Sequence, residues 1–159
     1  MIHETATIYP GVIIEEDVII GAGCIIGAKA EHKKYWHEAQ KYSVIIKSGS
    51  VIHGNVTIDA GTFQDTIIDN YCFIMKGVHI GHDCLIKKNV TISPHSSIGG
   101  EVVIEENTNI GMGVMIHQGL IIPSGCMFGM GTIVTKKTKL EKDTCFVGNP
   151  ARKLRSNKR

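Results

Sequence analysis

The feature that most constrains the fold of this chain is an apolar residue at every sixth position. Fourteen successive sixth positions between residues 68 and 146 are apolar, and ten of them are Ile. The same spacing occurs over residues 2–26 and, displaced by two positions, over residues 46–58. Six does not fit the 3.6-residue helical period, but it is a multiple of the two-residue strand period. Each hexad is therefore predicted to form one short strand and a corner.

A second column, four residues after each apolar position, holds mostly small or β-branched side chains and is also predicted to point inward. Four of the five Cys lie in this column, where a free thiol acts as a compact apolar group. The residue directly after each apolar position is often Gly, which indicates corners with a positive φ angle. The composition agrees with this pattern: 25 Ile against 4 Leu favour strands, because β-branched side chains lose rotamer freedom in helices.

The repeat is interrupted twice, and interruptions of a regular prism are where specificity can lie. Residues 29–43 form a polar insertion that contains the only Trp, and their composition suits a short helix. Within the insertion, Tyr35, Trp36 and His37 are predicted either to face a ligand or to pack on a neighbouring subunit. Residues 59–67 form the second break, which resets the frame of the repeat.

The chain is predicted to be one domain over residues 1–150, followed by a basic tail over residues 151–159. Pro150 cannot donate a hydrogen bond to a continuing ladder. The formal net charge is +2, but residues 1–151 carry 12 Lys and Arg against 15 Asp and Glu. A body without excess positive charge argues against nucleic-acid binding. No apolar run approaches the roughly 18 residues of a membrane span, and no signal peptide precedes the first hexad, so a cytoplasmic location is expected.

The densest group of histidines lies in the hexads around residues 78–84, VHIGHDC. Because Ile80 and Cys84 should point inward, His82 is predicted to lie at an exposed corner. A His titrates near neutrality and can take a proton from an attacking amine or hydroxyl. The neighbouring carboxylate of Asp83 could fix the tautomer of the ring. By spacing alone, a surface His–Asp pair is more often without a catalytic role.

The hexads resemble the hexapeptide-repeat, left-handed parallel β-helix family over about 130 of 159 residues. In that family three hexads make one coil of a triangular prism, which implies an all-β fold of about seven coils. The stretch HIGHDCLIKKNVTISPHSSIGGEVVIEENTNIGMGVMI resembles bacterial sugar acetyltransferases of the sialic-acid O-acetyltransferase type. That group includes N-acetyltransferases of nucleotide-linked amino sugars. The resemblance implies that His82 is the general base and that Asp83 is its partner.

The same stretch is also similar to the UDP-N-acetylglucosamine acyltransferase family, in which the HIxHDC and I/V-H-Q motifs are functional. This likeness implies substrate-binding roles for His79, His117 and Gln118. A further histidine of that family falls on Glu101 in this sequence, and the family's C-terminal helical domain is missing from these 159 residues. Both departures argue against assigning this chain to the lipid A role of that family.

The resemblance further implies a C3 homotrimer with acetyl-CoA bound in the groove between adjacent prisms, and no metal. Backbone N–H groups at glycine corners of the family contact the pantetheine arm and the thioester oxygen. The matching residues here are Gly111, Gly113, Gly129 and Gly131. The segment GNPAR resembles the family's closing motif near the adenine, and Arg152 could attract the 3′-phosphate together with neighbouring lysines.

These resemblances lead us to expect an acetyl-CoA-dependent acetyltransferase of a bacterial sugar, nucleotide-linked or not, in surface polysaccharide biosynthesis. The amino-sugar enzymes usually carry an N-terminal Rossmann-like subdomain, whereas this chain begins in hexads at Ile2. Either the insertion replaces that subdomain or the acceptor is not a nucleotide sugar. Two other interpretations are a γ-class carbonic anhydrase-like metalloenzyme and a non-catalytic scaffold. The first needs two zinc-binding histidines five residues apart, and Lys87 stands five residues after His82.

Overall fold

A computed structural model describes residues 1–157, and within them the chain forms strands and turns without a helix. The last two residues of the predicted tail, Lys158 and Arg159, lie outside the described residues. The strands are β1 (Thr7–Ile8), β2 (Ile13–Ile14), β3 (Ile19–Ile20), β4 (Ile25–Ala28), β5 (Val44–Ile46), β6 (Val51–Ile52), β7 (Thr57–Asp59), β8 (Thr66–Ile68), β9 (Phe73–Ile74), β10 (His79–Ile80), β11 (Leu85–Ile86), β12 (Thr91–Ile92), β13 (Ser97–Ile98), β14 (Val103–Ile104), β15 (Asn109–Ile110), β16 (Met115–Ile116), β17 (Ile121–Ile122), β18 (Met127–Phe128), β19 (Ile133–Val134), β20 (Thr144–Val147) and β21 (Arg152–Ser156).

From β1 to β19 every third strand joins the same parallel sheet, so the chain winds into a three-sided, left-handed parallel β-helix. Face 1 contains β1, β4, β7, β10, β13, β16 and β19; face 2 contains β2, β5, β8, β11, β14 and β17; face 3 contains β3, β6, β9, β12, β15, β18, β20 and β21. The register places equivalent hexad positions directly above one another, as in Ile80, Ile98 and Ile116. The short strands predicted from the period of six, and the left-handed β-helix that the family resemblance implied, are confirmed. The structure has about eight turns instead of seven, because Ile2 pairs with Ile20 below the first full coil.

The interior is filled by the two inward columns that the sequence indicated. The sixth-position residues from Ile68 to Val134 are all buried, and Phe128 stacks on Phe146 with ring centroids 5.1 Å apart. All five cysteines are buried free thiols. Burial raises the pKa of Cys72 and Cys84 to about 12, so these thiols are protonated packing groups and not nucleophiles.

The positive φ predicted for the glycines that follow the inward apolar residue occurs at Gly27 (86°), but most of these glycines have a different cause. Gly81 does not adopt a positive φ; instead, a Cβ on it would lie 2.8 Å from the backbone N of Gly100 in the next coil. Close approach of stacked backbones therefore selects Gly at this position. The positive φ angles occur two residues later in the corner, at Gly113 (65°) and Asp83 (60°) for example. Asp tolerates this left-handed conformation better than most residues.

The insertion and the C-terminal segment both differ from a regular coil. The predicted helix in residues 29–43 is wrong: isolated turns are closed by Tyr35 N–H donating to His32 O and Glu38 N–H donating to Tyr35 O. The segment is too short for helical hydrogen bonds to offset the unfavourable free energy of helix nucleation. At the other end, β21 turns back and pairs antiparallel with β20. The division into residues 1–150 and 151–159 remains a prediction.

Candidate active site

His82 lies at the corner between faces 1 and 2, two residues after the end of β10. Its Nδ1 is 2.6 Å from Asp83 Oδ2. The residue is only 9% exposed, so the predicted exposed corner is wrong. Two neighbours explain the burial: the ring of His32, from the insertion, lies over it, and Gly100 in the next coil leaves room beside it. A Cβ on Gly100 would lie 2.6 Å from His82 Nε2.

Asp83 is held by the second break of the repeat, a feature that the sequence did not reveal. Its Oδ1 accepts hydrogen bonds from three consecutive backbone N–H groups, of Thr62 (2.9 Å), Phe63 (2.7 Å) and Gln64 (2.9 Å). The Gln64 side chain donates from Nε2 to the Asp83 carbonyl at 2.8 Å. We call residues 62–64 the carboxylate cradle. Its only sequence signal was the loss of register in residues 59–67.

The cradle decides the charge state of Asp83. Burial alone would raise the pKa of this carboxyl, which is 2% exposed, but hydrogen bonds from the Phe63 backbone and from His82 outweigh burial and hold the pKa below its usual value. An ionised Asp83 accepts the Nδ1 proton of His82. This fixes the tautomer in which Nε2 is the ring nitrogen that can accept a proton.

The insertion covers this corner with an aromatic cluster formed by His32, Tyr35 and Phe63. The His32 ring centroid lies 5.6 Å from that of His82, 4.7 Å from Tyr35 and 6.2 Å from Phe63. Tyr35 and Phe63 meet edge to face at 5.2 Å. Tyr35 thus lies in the region of His82, whereas Trp36 and His37 are exposed, and the choice between facing a ligand and packing on a neighbouring subunit stays a prediction. His32 and Phe63 were missed because nothing in the hexad pattern relates their positions to His82.

A second histidine–carboxylate contact lies on face 1 beside the first. His79, on β10, places Nε2 3.9 Å from Asp59 Oδ2, and its Nδ1 is 2.8 Å from Thr57 Oγ1. Burial raises the pKa of Asp59, and the nearby His79 opposes that shift. His79 therefore stands close to the corner of His82, at a half-exposed position that suits contact with a substrate.

His117 and Gln118 lie on the same edge as His82, two coils further along the axis. Each coil adds roughly 4.8 Å, so this pair lies about 10 Å from His82 along the helix axis. Gln118 donates from Nε2 to Glu101 Oε1 at 2.8 Å. Glu101, at the position where the resemblance implied a histidine, thus lies between the coil of His82 and the coil of Gln118. A shallow groove of about 320 Å³ on face 1 includes both His79 and His117.

The four predicted cofactor glycines lie at the other edge of face 1, where face 3 turns into it. Within this single chain they are therefore not adjacent to His82. All four N–H groups already donate to carbonyls of neighbouring coils, for example Gly113 to Pro94 O at 3.0 Å and Gly131 to Met112 O at 2.9 Å. A Cβ on Gly113 or Gly131 would meet nothing within 4 Å, so these positions offer open surface.

Arg152 lines an open cavity of about 980 Å³ near the C-terminal end of the prism. The same cavity includes His117 and a cluster of cations, namely Lys136, Lys137, Lys139 and Lys153. Lys153 is paired with Glu141 at 2.6 Å. The surplus of positive charge gives this end of the molecule a surface that favours phosphate groups.

In residues 1–157 no cluster of three or more His, Cys, Asp or Glu side chains is placed to hold a metal ion. In the same residues no helix has the length and apolar character needed to cross a membrane.

The fold and the corner motif together define the chain as a hexapeptide-repeat β-helix with a histidine–carboxylate pair. A profile described as "Bacterial transferase hexapeptide (six repeats)" matches residues 1–31 and 65–100. A second, "Hexapeptide repeat of succinyl-transferase", matches residues 101–136. The chain belongs to the hexapeptide-repeat acyltransferase superfamily.

Among proteins similar in sequence is a UDP-3-O-acylglucosamine N-acyltransferase of Rickettsia felis, 39% identical over 80 residues. The match covers 44% of this chain and 22% of the relative. The protein of the same name from Hydrogenovibrio crunogenus is 30% identical over 82 residues, covering 48% and 24%. The chain thus spans less than a quarter of these curated relatives.

Solved structures agree in fold over nearly the whole chain. The UDP-N-acetylglucosamine acyltransferase of Bacteroides fragilis superimposes with a TM-score of 0.81 at 24% identity, covering 99% of this chain and 75% of that protein. A variant of GDP-perosamine N-acetyltransferase from Caulobacter crescentus, in complex with CoA and GDP-perosamine, gives 0.63 at 19% identity, covering 96% and 57%. At these identities the likeness concerns the fold.

Proposed function

We propose that this chain is an acetyl-CoA-dependent acetyltransferase that acts on an amino or hydroxyl group of a sugar, with nucleotide-linked sugars as the leading acceptors. The observation that carries the proposal is the His82–Asp83 pair, with Asp83 fixed by three backbone N–H groups. Relatives named as sugar N-acyltransferases and structural neighbours named as acyltransferases support the reaction class. A homotrimer and a cytoplasmic location belong to the same proposal.

In the proposed reaction His82 is the general base. The acceptor nitrogen or oxygen attacks the thioester carbonyl while His82 Nε2 takes its proton, and ionised Asp83 stabilises the imidazolium that forms. The tetrahedral oxyanion then collapses and the C–S bond breaks. The leaving thiolate takes the proton from His82, so that the base is restored and the products are the acetylated acceptor and free CoA. His79, His117 and Gln118 would position the acceptor along face 1.

The donor would bind along the edge that carries Gly111, Gly113, Gly129 and Gly131. Since the N–H groups of these glycines are engaged within the prism, the proposed contribution of Gly113 and Gly131, whose Cβ positions are open, is close access of the pantetheine arm to the backbone. Arg152 and the neighbouring lysines would bind the phosphates. Because this edge and His82 lie on opposite sides of face 1, the complete site would form between two chains of a trimer.

Two assays test the proposal. Acetyl-CoA at millimolar concentration should raise the midpoint of thermal unfolding, because a ligand that binds only the native state stabilises it. Thiol release from acetyl-CoA should then be measured across a panel of amino-sugar nucleotides and free amino sugars. Acceptor-dependent release is the expected result. The absence of both a midpoint shift and thiol release would contradict the proposal.

A further inference from the structure

Positive charge is concentrated at one end of the prism. Residues 1–134 carry 8 Lys and Arg against 13 Asp and Glu, whereas residues 135–157 carry 7 against 2. The seven cations of this second segment are all exposed and form, with Leu154, a surface that we call the basic end: Lys136, Lys137, Lys139, Lys142, Arg152, Lys153 and Arg155. Because the rest of the prism is negative, an anionic surface is attracted to this end and repelled by the remainder.

The strand β21 forms the outer edge of face 3 at the basic end. It pairs antiparallel with β20 on one side and has no strand on its other side among residues 1–157. All five of its side chains are exposed. The register shifts between Cys145 and Phe146, which pair with Arg155 and Lys153, so that Leu154 has no opposing residue. A bulge of this kind re-aims the side chain of the extra residue.

Leu154 is an apolar side chain between two cations. It is 60% exposed, and in residues 135–157 no other large apolar side chain is exposed. Lys153 and Arg155 stand on either side of it in β21. A surface that alternates cations with an exposed aliphatic group suits the boundary of a bilayer, where cations contact phosphates and the aliphatic group reaches the acyl chains.

The proposed donor site does not account for the whole basic end. Lys142, Leu154 and Arg155 are not part of the lining of the large cavity assigned to the donor phosphates. Lys153 lines that cavity and is paired with Glu141, whereas Lys142 and Arg155 form no ion pair within residues 1–157. The basic end therefore keeps free positive charge outside the donor cavity.

The composition of the basic end favours a lipid surface over a nucleic acid. Surfaces that bind single-stranded nucleic acids combine cations with aromatic rings that stack on bases. In residues 135–157 the one aromatic side chain, Phe146, is fully buried, and the exposed apolar group is aliphatic. In a C3 trimer whose prisms contact side by side, the three basic ends also face the same way and can contact one flat surface together.

We infer that the basic end docks on the surface of an anionic phospholipid bilayer. Lys142 and Arg155 contact the phosphates of the headgroups, and Leu154 enters the boundary with the acyl chains. The contact is peripheral, so it needs no membrane-spanning helix. The inference goes beyond the proposed function and does not depend on the proposed reaction.

Cosedimentation with vesicles measures this contact directly. The vesicles are phosphatidylcholine alone or phosphatidylcholine with about one third phosphatidylglycerol, in about 0.1 M salt. Binding is expected to the anionic vesicles only, and it should be lost in about 0.5 M salt because the range of the attraction shortens. Equal sedimentation with both kinds of vesicle, or none with either, would overturn the inference.

Variants test which residues make the contact. Lys142→Gln with Arg155→Gln should weaken binding to anionic vesicles at least about tenfold, because each cation close to the surface contributes. Lys33→Gln with Lys41→Gln removes the same charge from exposed positions of the insertion and should bind like the wild type. Leu154→Ser should weaken binding about threefold without a change in charge. Equal losses in the two double variants would overturn the assignment to the basic end.

Two competitors separate this partner from other anions. Coenzyme A at millimolar concentration should leave the vesicle contact intact, since Lys142, Leu154 and Arg155 lie outside the donor cavity. Displacement by coenzyme A would place the headgroups in that cavity and overturn the inference. A single-stranded oligonucleotide that binds more tightly than the vesicles would indicate a nucleic-acid partner and would also overturn it. Vesicle binding without thiol release would support the docking surface while contradicting the acetyltransferase.

Discussion

At the scale of single residues, Asp83 explains more of the site than His82 does. Its backbone adopts a left-handed conformation, one carboxylate oxygen binds the imidazole, and the other binds three N–H groups of the cradle. A carboxylate with this many donors stays ionised at low pH. The side chain therefore links a structural feature of the corner to the protonation state of His82, the proposed base.

The lowered pKa of Asp83 predicts how stability depends on pH. A carboxyl whose pKa in the folded state lies below its usual value of 3.8 stabilises the folded state. This contribution to stability is fully present at pH values well above 3.8 and is lost as the pH falls through the folded-state pKa. The gap in unfolding free energy between wild type and Asp83→Asn should be constant above about pH 5 and shrink below about pH 4. Urea denaturation over pH 2.5–7 measures it. A gap that does not change with pH would refute the assigned charge state.

At the scale of elements, the two interruptions of the repeat supply the parts of the candidate site that the regular hexads do not. The second break supplies the cradle, and the insertion supplies the rings that cover His82. Gly61 sets the geometry of the break: a Cβ there would lie only 1.5 Å from Gln64 O. This clash cannot be relieved without moving the backbone of the cradle.

Gly61→Ala should therefore weaken catalysis through Asp83. We expect kcat to fall by at least about tenfold and the midpoint of unfolding to drop, because the cradle must move. Gly119→Ala is the control for strain without a clash, since Gly119 has a positive φ of 73° but open space around it, whereas Gly61 is not among the glycines with a positive φ. Equal kcat values for the two variants, measured by thiol release, would show that the cradle is not needed.

The sequence predicted the coils well and the interruptions poorly, for a physical reason. The period of six arises because each coil stacks on the one before it. The inward position of Ile98 can therefore be predicted from that of Ile80 by counting hexads alone. The contacts of His32 with His82 and of Phe63 with Asp83 join residues about 20–50 positions apart, across two loops of irregular length. No period relates such residues. For the same reason His82 was expected at an exposed corner, although the insertion covers it.

At the scale of the whole molecule, face 2 is apolar on its outside. Its six strands each present an outward apolar side chain, stacked in register: Ile13, Ile45, Ile67, Leu85, Val103 and Ile121. Ile121 is 64% exposed in the single chain. A continuous apolar stripe of this kind suits contact with another chain, in agreement with the expected trimer.

Ile121→Asp should convert the trimer into monomers, because a charge would have to be buried in an apolar contact. Light scattering coupled to size exclusion measures the mass. Thr91→Asp, an outward position on face 3, is the control and should leave the trimer intact. A variant that remains trimeric, or a wild type that is monomeric, would contradict the use of face 2 in assembly.

The central claim, that His82 is the base of an acyl transfer, is tested most directly by thiol release in His82→Ala with added imidazole. We expect a loss of about 10²–10⁴-fold in kcat, partly restored by imidazole in solution, because the missing group is a proton acceptor. His3→Ala, at an exposed histidine in the first coil, should keep the wild-type rate. Full activity of His82→Ala on the preferred acceptor would show that His82 is not the base.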